Sequence, residues 1–288
     1  HIIKVNKRGR NMIIIPARLN SSRFANKIMV DILGLPMVIK TAKQVSNLDK
    51  VVIATDSLEV IDLASQYGFD AVLTSTAHNS GTDRINEAAN ILNLSEDEII
   101  VNVQADEPFI EPEVVQAVIN RVKQIKDSNE DIMITSCFKE ITSELADDPN
   151  HVKVILDELS NAIYFSRAKI PYHRDHHKDA SYFGHLGIYG FTKKSLNDFC
   201  KLNPSKLENI EKLEQLRAID NGKKIAMVKV TSKSFKLLII TCVSKTFVRQ
   251  PKVLKYTFGL FCEKFIIYLF VMISSKSCGI VLLSLEGP

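Results

Sequence analysis

Short apolar runs alternate with amphipathic stretches through the first half of the chain. Met12-Ile-Ile-Ile-Pro-Ala17, Lys50-Val-Val-Ile-Ala-Thr55, Asp70-Ala-Val-Leu73 and Ile99-Ile-Val-Asn-Val103 read as buried strands. Between them the pattern predicts a helix opened by Gly34-Leu-Pro36 and running to about Val45, a second over 58–67 closed by Gly68, and a third from Asp83 to Leu92. Asp56-Ser57 is expected to cap the second of these. Pro112 begins a fourth helix that reaches about Lys126. Such alternation implies βαβ units around a mainly parallel sheet.

From residue 132 strands dominate. Ile132–Phe138, Val152–Asp157 and Ala162–Ser166 fit strands, the last two joined by a turn near Glu158–Asn161. A polar excursion over 171–183 precedes a strand from Gly184 to Phe191. One continuous helix is expected from about 206 to 220, ending at Gly222, before a last strand from Lys224 to Val230. The reading is one α/β unit over 12–235 with a strand-rich insertion at about 132–190. After Phe235 the alternation stops.

Composition changes the picture mainly by its distribution. The chain has 288 residues, 45% hydrophobic and 24% charged, as soluble globular proteins do. Its net charge is +4, yet residues 236–288 carry +5 and residues 1–11 carry +4, leaving −5 for 12–235. A mildly acidic body excludes a nucleic-acid footprint. The nine-residue run Phe265–Ile273 is too short for a bilayer span of about twenty residues. Five cysteines without metal-type spacing fit a reducing compartment, and no apolar h-region follows the basic start, so a cytoplasmic protein is expected.

Candidate chemistry lies at strand ends. The loop after the first strand carries Arg18, Ser22, Arg23 and Lys27; alone it could be a solvated loop, but its place suits a polyanion such as a nucleoside triphosphate. Asp106, at the end of the fourth strand, could hold Mg2+ or merely cap a turn. Ser80-Gly81-Thr82 could admit a base or ribose, or simply start a helix. His185 and Tyr189, four apart on a strand, share a face. His173, His176 and His177 have no metal-type spacing, and Glu208, Glu211 and Glu214 would ordinarily be a solvated helix face. Without a P-loop, phosphate chemistry must rest on side-chain cations and Mg2+.

Taken in order, these segments resemble the 3-deoxy-manno-octulosonate (KDO) cytidylyltransferase family over about residues 12–235. The resemblance rests on Ile-Ile-Pro-Ala-Arg18 with Ser22-Arg23 and Lys27, Val-Ile-Ala-Thr55-Asp56, and His78-Asn-Ser80-Gly81-Thr82-Asp83-Arg84. It continues through Val101-Asn-Val-Gln104-Ala-Asp106-Glu107-Pro108, Tyr164-Phe-Ser166-Arg167, His185-Leu-Gly-Ile-Tyr189-Gly and Leu213-Glu214-Gln215-Leu216-Arg217. It implies a Rossmann-like nucleotidyltransferase sheet, transfer of CMP from CTP to KDO for lipopolysaccharide synthesis, Mg2+ as cofactor, and a homodimer formed by the strand-rich insertion. It further implies Arg18, Lys27 and Asp106 as catalytic residues, with Asp106 on the metal. The nucleotide would meet Arg18, Ser22, Arg23, Lys27, Ser80, Gly81 and Thr82. The sugar would meet Gln104, Arg167, His185, Tyr189, Glu214 and Gln215. The alternative acceptors are an 8-amino KDO analogue and sialic acid, although sialic acid enzymes carry a Gly-Ser-Lys pattern where Asn20-Ser21-Ser22-Arg23 stands here.

Two departures stand out. The family usually begins at the position of Met12, so residues 1–11 are expected to be non-native. Its last strand is also followed by a Gly-Ile/Val-Asp-Thr-Pro-Glu-Asp segment whose first Asp is a second Mg2+ ligand; here Leu238 falls at that place. A reading-frame shift near codon 236 is expected, giving a non-native tail over 236–288 and a catalytically impaired CTP binder as a further alternative.

Overall fold

A computed structural model describes residues 11–19, 26–78, 80–174 and 181–232, and the backbone course of 237–240, 257–262, 265–273 and 278–286. The first half runs β1 (Asn11–Ala17), a 3-10 turn (Lys27–Met29), α1 (Met37–Val45), β2 (Lys50–Thr55), α2 (Leu58–Gln66), β3 (Asp70–Leu73), α3 (Gly81–Ile91), β4 (Ile99–Asn102) and α4 (Pro112–Ser128). It continues with β5 (Ile134–Ile141), α5 (Ser143–Asp147), β6 (Lys153–Leu156), β7 (Ala162–Ser166), β8 (Tyr182–Thr192), α6 (Lys193–Cys200), α7 (Lys206–Glu211), α8 (Leu216–Asp220) and β9 (Ile225–Lys229).

The main sheet has the order β3-β2-β1-β4-β8-β5-β9, with the hairpin β6–β7 attached to β8. All pairings along that path are parallel except those of β8, which runs against both β4 and β5. The chain winds from β1 outward to β3, then crosses back to β4 on the other side of β1. That reversal opens a crevice beyond the carboxyl ends of β1 and β4, the place where open α/β sheets bind ligands.

Helices cover both faces of the sheet. Ile13, Ile15 and Ala17 pack with α1 and α4, while Met12 and Ile14 pack with α3, α6 and α8. Ile13, Ile14 and Ile15 are fully buried, each stabilising the fold by roughly 1.5–3 kcal/mol relative to exposure. β1 is thus buried on both faces, which is why it reads as an unbroken apolar run.

The structure departs from the sequence expectations in several places. β1 starts at Asn11, whose Nδ2 donates to Asp49 Oδ2, so the strand includes the last residue of the expected leader. Asp56 does not cap α2; its carboxylate is taken up by Arg84 Nη2 at 2.8 Å and the Leu19 amide at 3.4 Å. α6 enters with a capping box between Thr192 and Ser195, which the strand-rich reading passed over. Finally, the expected helix over 206–220 is two helices. A Ser205–Glu208 capping box starts α7, and Lys212, in the left-handed region at φ 53°, ends it. Leu213 then buries in the core, and Glu214 and Gln215 occupy the turn before α8.

Beyond residue 232 the described backbone holds β10 (Leu237–Ile240), β11 (Thr257–Cys262), β12 (Phe265–Ile273) and β13 (Cys278–Glu286) in a separate antiparallel sheet of order β10-β13-β12-β11. Leu238 lies within β10.

Candidate active site

The crevice is built from three loops and one turn. The first loop leaves β1 at Arg18, which is exposed, and returns at Asn26 in the left-handed region at φ 58°. Its base is closed by the Asn26 amide donating to the Leu19 carbonyl at 3.3 Å. Leu19 is in turn tied to Asp56 at the end of β2, and Asp56 is fixed by Arg84, a guanidinium only 3% exposed that also donates to Thr74 Oγ1 at 2.6 Å. A buried long-range ion pair therefore anchors the loop, a role that no local spacing announced. Ser22 and Arg23, the other loop residues singled out above, lie outside the described residues.

Lys27 and Asp106 face each other across the crevice. Lys27 Nζ donates to Asp106 Oδ2 at 2.6 Å, with both side chains partly exposed. The β4 loop carrying Asp106 is held from behind: buried Thr41 Oγ1 contacts the Ala105 carbonyl at 3.1 Å, and Gln44 Nε2 donates to the Pro108 carbonyl at 3.3 Å. α1 thereby sets the height of Asp106. Among the described residues no group of three or more His, Cys, Asp or Glu gathers for a metal. The donor chemistry still fits Mg2+, which binds through one or two carboxylates plus phosphate oxygens. Asp106 supplies one partly exposed carboxylate at the mouth of the crevice.

The third loop starts α3. Ser80 is its N-cap: Oγ accepts from the Asp83 amide at 3.0 Å and donates to Asp83 Oδ2 at 2.9 Å. Gly81 lies against β1, where an added Cβ would meet Pro16 Cγ at 3.2 Å and approach Gln104 Oε1 at 3.9 Å. The glycine thus lets this loop close onto the β1 and β4 ends. Gln104 Nε2 makes a long contact with Asn102 Oδ1 at 3.4 Å. Thr82 Oγ1 donates to Glu214 Oε2 at 2.7 Å. Burial pushes the Glu214 carboxyl up, against the lowering effect of the Thr82 and Ser80 hydroxyls and Arg217. Arg217 itself forks onto Glu208 at 2.9 and 2.6 Å and lies over the Phe199 ring.

Gln215 connects Glu214's turn to β8. Its Oε1 accepts from the Tyr189 hydroxyl at 3.1 Å, and its Nε2 lies 3.5 Å from His185 Nδ1. The rings of His185 and Tyr189 are 5.6 Å apart, on one strand face as their spacing predicts. Desolvation holds the His185 imidazole well below its usual value, at about 3, and pushes the Tyr189 phenol up. Although His185 keeps part of its surface exposed, its ring is enclosed on the inner side by Phe165, 4.8 Å away edge-on. The group is neutral.

Arg167 is held at the end of α7. Its Nε, Nη1 and Nη2 donate to the carbonyls of Glu211, Pro149 and Lys212, and its amide donates to Glu211 Oε2. The end of α7 presents free carbonyls and a partial negative charge, so a guanidinium there is a helix clamp.

An open, mostly parallel sheet with two cations and a carboxylate at its reversal point defines a nucleotide-handling transferase without a P-loop. The chain belongs to the cytidylyltransferase family, whose profile matches residues 12–225. It is 56% identical over 224 residues to the 3-deoxy-manno-octulosonate cytidylyltransferase of a Nitratiruptor species, covering 77% of this chain and 92% of that protein. It is 49% identical to the protein of the same name from Wolinella succinogenes, covering 78% and 93%. Among solved structures, CMP:2-keto-3-deoxy-manno-octonic acid synthetase complexed with CTP superposes with a TM-score of 0.69 at 34% identity, covering 77% of this chain and 90% of that one.

Proposed function

We propose that the chain transfers CMP from CTP to KDO, giving CMP-KDO and pyrophosphate. The observation that carries this reading is the 2.7 Å bond between Thr82 and Glu214, which joins the α3 loop to the His185–Gln215–Tyr189 group. In this reading the nucleotide and sugar regions share one wall, joined by that bond. The names of the relatives and the CTP complex of the structural neighbour support the same reading.

In this mechanism Arg18, Lys27 and the loop residues Ser22 and Arg23 take the triphosphate, while Ser80, Gly81 and Thr82 shape the nucleotide pocket. Gln104, Arg167, His185, Tyr189, Glu214 and Gln215 orient the sugar acid. The oxygen of its anomeric hydroxyl attacks the α-phosphorus, the bond to pyrophosphate breaks in line, and the hydroxyl proton passes to solvent. Such transfer needs positioning and charge neutralisation above all. Lys27, held beside Asp106, would offer its charge to the leaving pyrophosphate. Asp106 would hold Mg2+, which when bound would supply positive charge against the triphosphate. The test is pyrophosphate release with CTP, Mg2+ and KDO, with the 8-amino analogue and sialic acid in parallel. Release with KDO supports the reading, and release with sialic acid alone would overturn it.

A second reading is favoured by Leu238, which stands where the family places its second metal-binding Asp and lies in a strand outside the main sheet. The chain would then bind CTP with turnover lowered by about 10²–10³, the scale of one lost electrostatic stabiliser. Grafting the family's Asp-containing segment after Phe235 would restore turnover; no gain would sink this reading.

The reading also includes a homodimer through the β6–β7 hairpin, supported by its exposed Leu159 and Ile163, 75% and 53% accessible. Ile163→Lys would shift the mass in solution from two chains to one, and an unchanged mass would count against this interface. Free Cys137 and Cys200 fit a cytoplasmic setting, and no described helix is long and apolar enough to cross a membrane.

A further inference from the structure

The polarity of the sugar-side group is set from below by a residue that no motif marked. Ser136 lies on β5, fully buried, opposite a bulge at which pairing with β8 jumps from Thr135–Gly190 to Cys137–Leu186. Bulges break the ladder and re-aim side chains beside sites. Here the Ser136 hydroxyl fills the break. Its Oγ lies 2.7 Å from the Ile188 carbonyl, 3.3 Å from the Leu186 carbonyl and 2.9 Å from His185 Nε2.

A hydroxyl has one proton to give and two lone pairs to receive with. Carbonyls only accept, so the proton goes to Ile188, the shorter contact. His185 Nε2 must then donate to Ser136. The neutral ring carries its proton on Nε2, and Nδ1 is left as an acceptor facing Gln215 Nε2 at 3.5 Å. That orientation of the carboxamide presents Gln215 Oε1 to the Tyr189 hydroxyl at 3.1 Å. The chain runs in one direction, from Tyr189 through Gln215 and His185 to Ser136 and the Ile188 carbonyl. It leaves the Tyr189 oxygen lone pairs and the second Gln215 amide hydrogen to meet a ligand.

We propose that Ser136 is a positioning residue: by accepting from His185 Nε2 it fixes the imidazole tautomer and, through Gln215, the donor and acceptor pattern that Tyr189 and Gln215 offer the sugar. Only the last clause rests on the proposed function. Without the hydroxyl, Nε2–H would be a buried donor with no acceptor, a costly arrangement. The ring then does better with its proton on Nδ1, where turning the Gln215 carboxamide supplies an acceptor and takes it away from Tyr189.

The test is 15N NMR of the full chain with labelled imidazoles, His185 being assigned by the signals lost in His185→Gln. The expected wild-type spectrum has the proton on Nε2. Ser136→Ala moves it toward Nδ1, and Ser136→Thr, which keeps the hydroxyl, restores the wild-type pattern. The acceptor KM rises about tenfold in Ser136→Ala, the scale of one misaligned hydrogen bond, with the KM for CTP within about twofold. A wild-type proton on Nδ1, or a Ser136→Ala spectrum identical to wild type, would overturn the proposal. The wild-type spectrum needs no variant to fold and no substrate, so a silent activity assay would count against the functional reading and leave this inference standing.

Discussion

Thr82 and Glu214 lie 132 positions apart and meet at 2.7 Å. Thr82→Val removes the donor and leaves a buried carboxylate under-satisfied, so we expect a loss of about 1–3 kcal/mol in unfolding free energy. Urea unfolding checks this, and an unchanged midpoint would mean that water already serves Glu214. His185 predicts a pH dependence. Folded, it stays neutral down to about 3, whereas the unfolded chain takes up its proton near 6.5. The unfolded state therefore binds more protons between these values, and stability is lost as pH falls through that window. His185→Gln should remove that component from the pH slope of unfolding free energy; an identical slope in the two proteins would contradict it. Asp106 and Lys27 could be singled out at this scale because Asp106 closely follows β4 and Lys27 lies in the basic stretch that leaves β1. Ser136 and the Asp56–Arg84 pair could not, since their partners come from other elements and leave no local pattern.

At the scale of elements, legibility followed burial. β1 to β4 were readable because parallel strands covered on both faces leave continuous apolar runs. The break between α7 and α8 was not. Lys212-Leu-Glu-Gln-Leu-Arg217 consists of good helix formers, and local propensity predicts continuation. Burial of Leu213 and the left-handed Lys212 override it, and the resulting turn carries Glu214 and Gln215 to β8. Packing between β8 and α4 offers a direct check. A Cβ at Gly190 would meet Val122 Cγ2 at 2.6 Å and Val118 Cγ1 at 2.8 Å. Gly190→Ala should cost about 1–3 kcal/mol as the helix is pushed off the sheet. Thermal unfolding would show the drop, while a wild-type midpoint would mean that α4 shifts freely.

On the scale of the whole molecule, the winding of the sheet brings two kinds of chemistry together. Cations and a carboxylate lie where β1 and β4 part, and an uncharged hydrogen-bonding group lies on β8 beside them. Among the described residues, the strands of the main sheet fall within 11–229, ahead of β10. The most direct test of CMP transfer is 31P NMR of the full chain with CTP, Mg2+ and KDO. The expected result is a new phosphodiester resonance from the α-phosphorus growing one for one with pyrophosphate. CTP consumed to CDP with a phosphorylated sugar, or to CMP with no sugar attached, would contradict it.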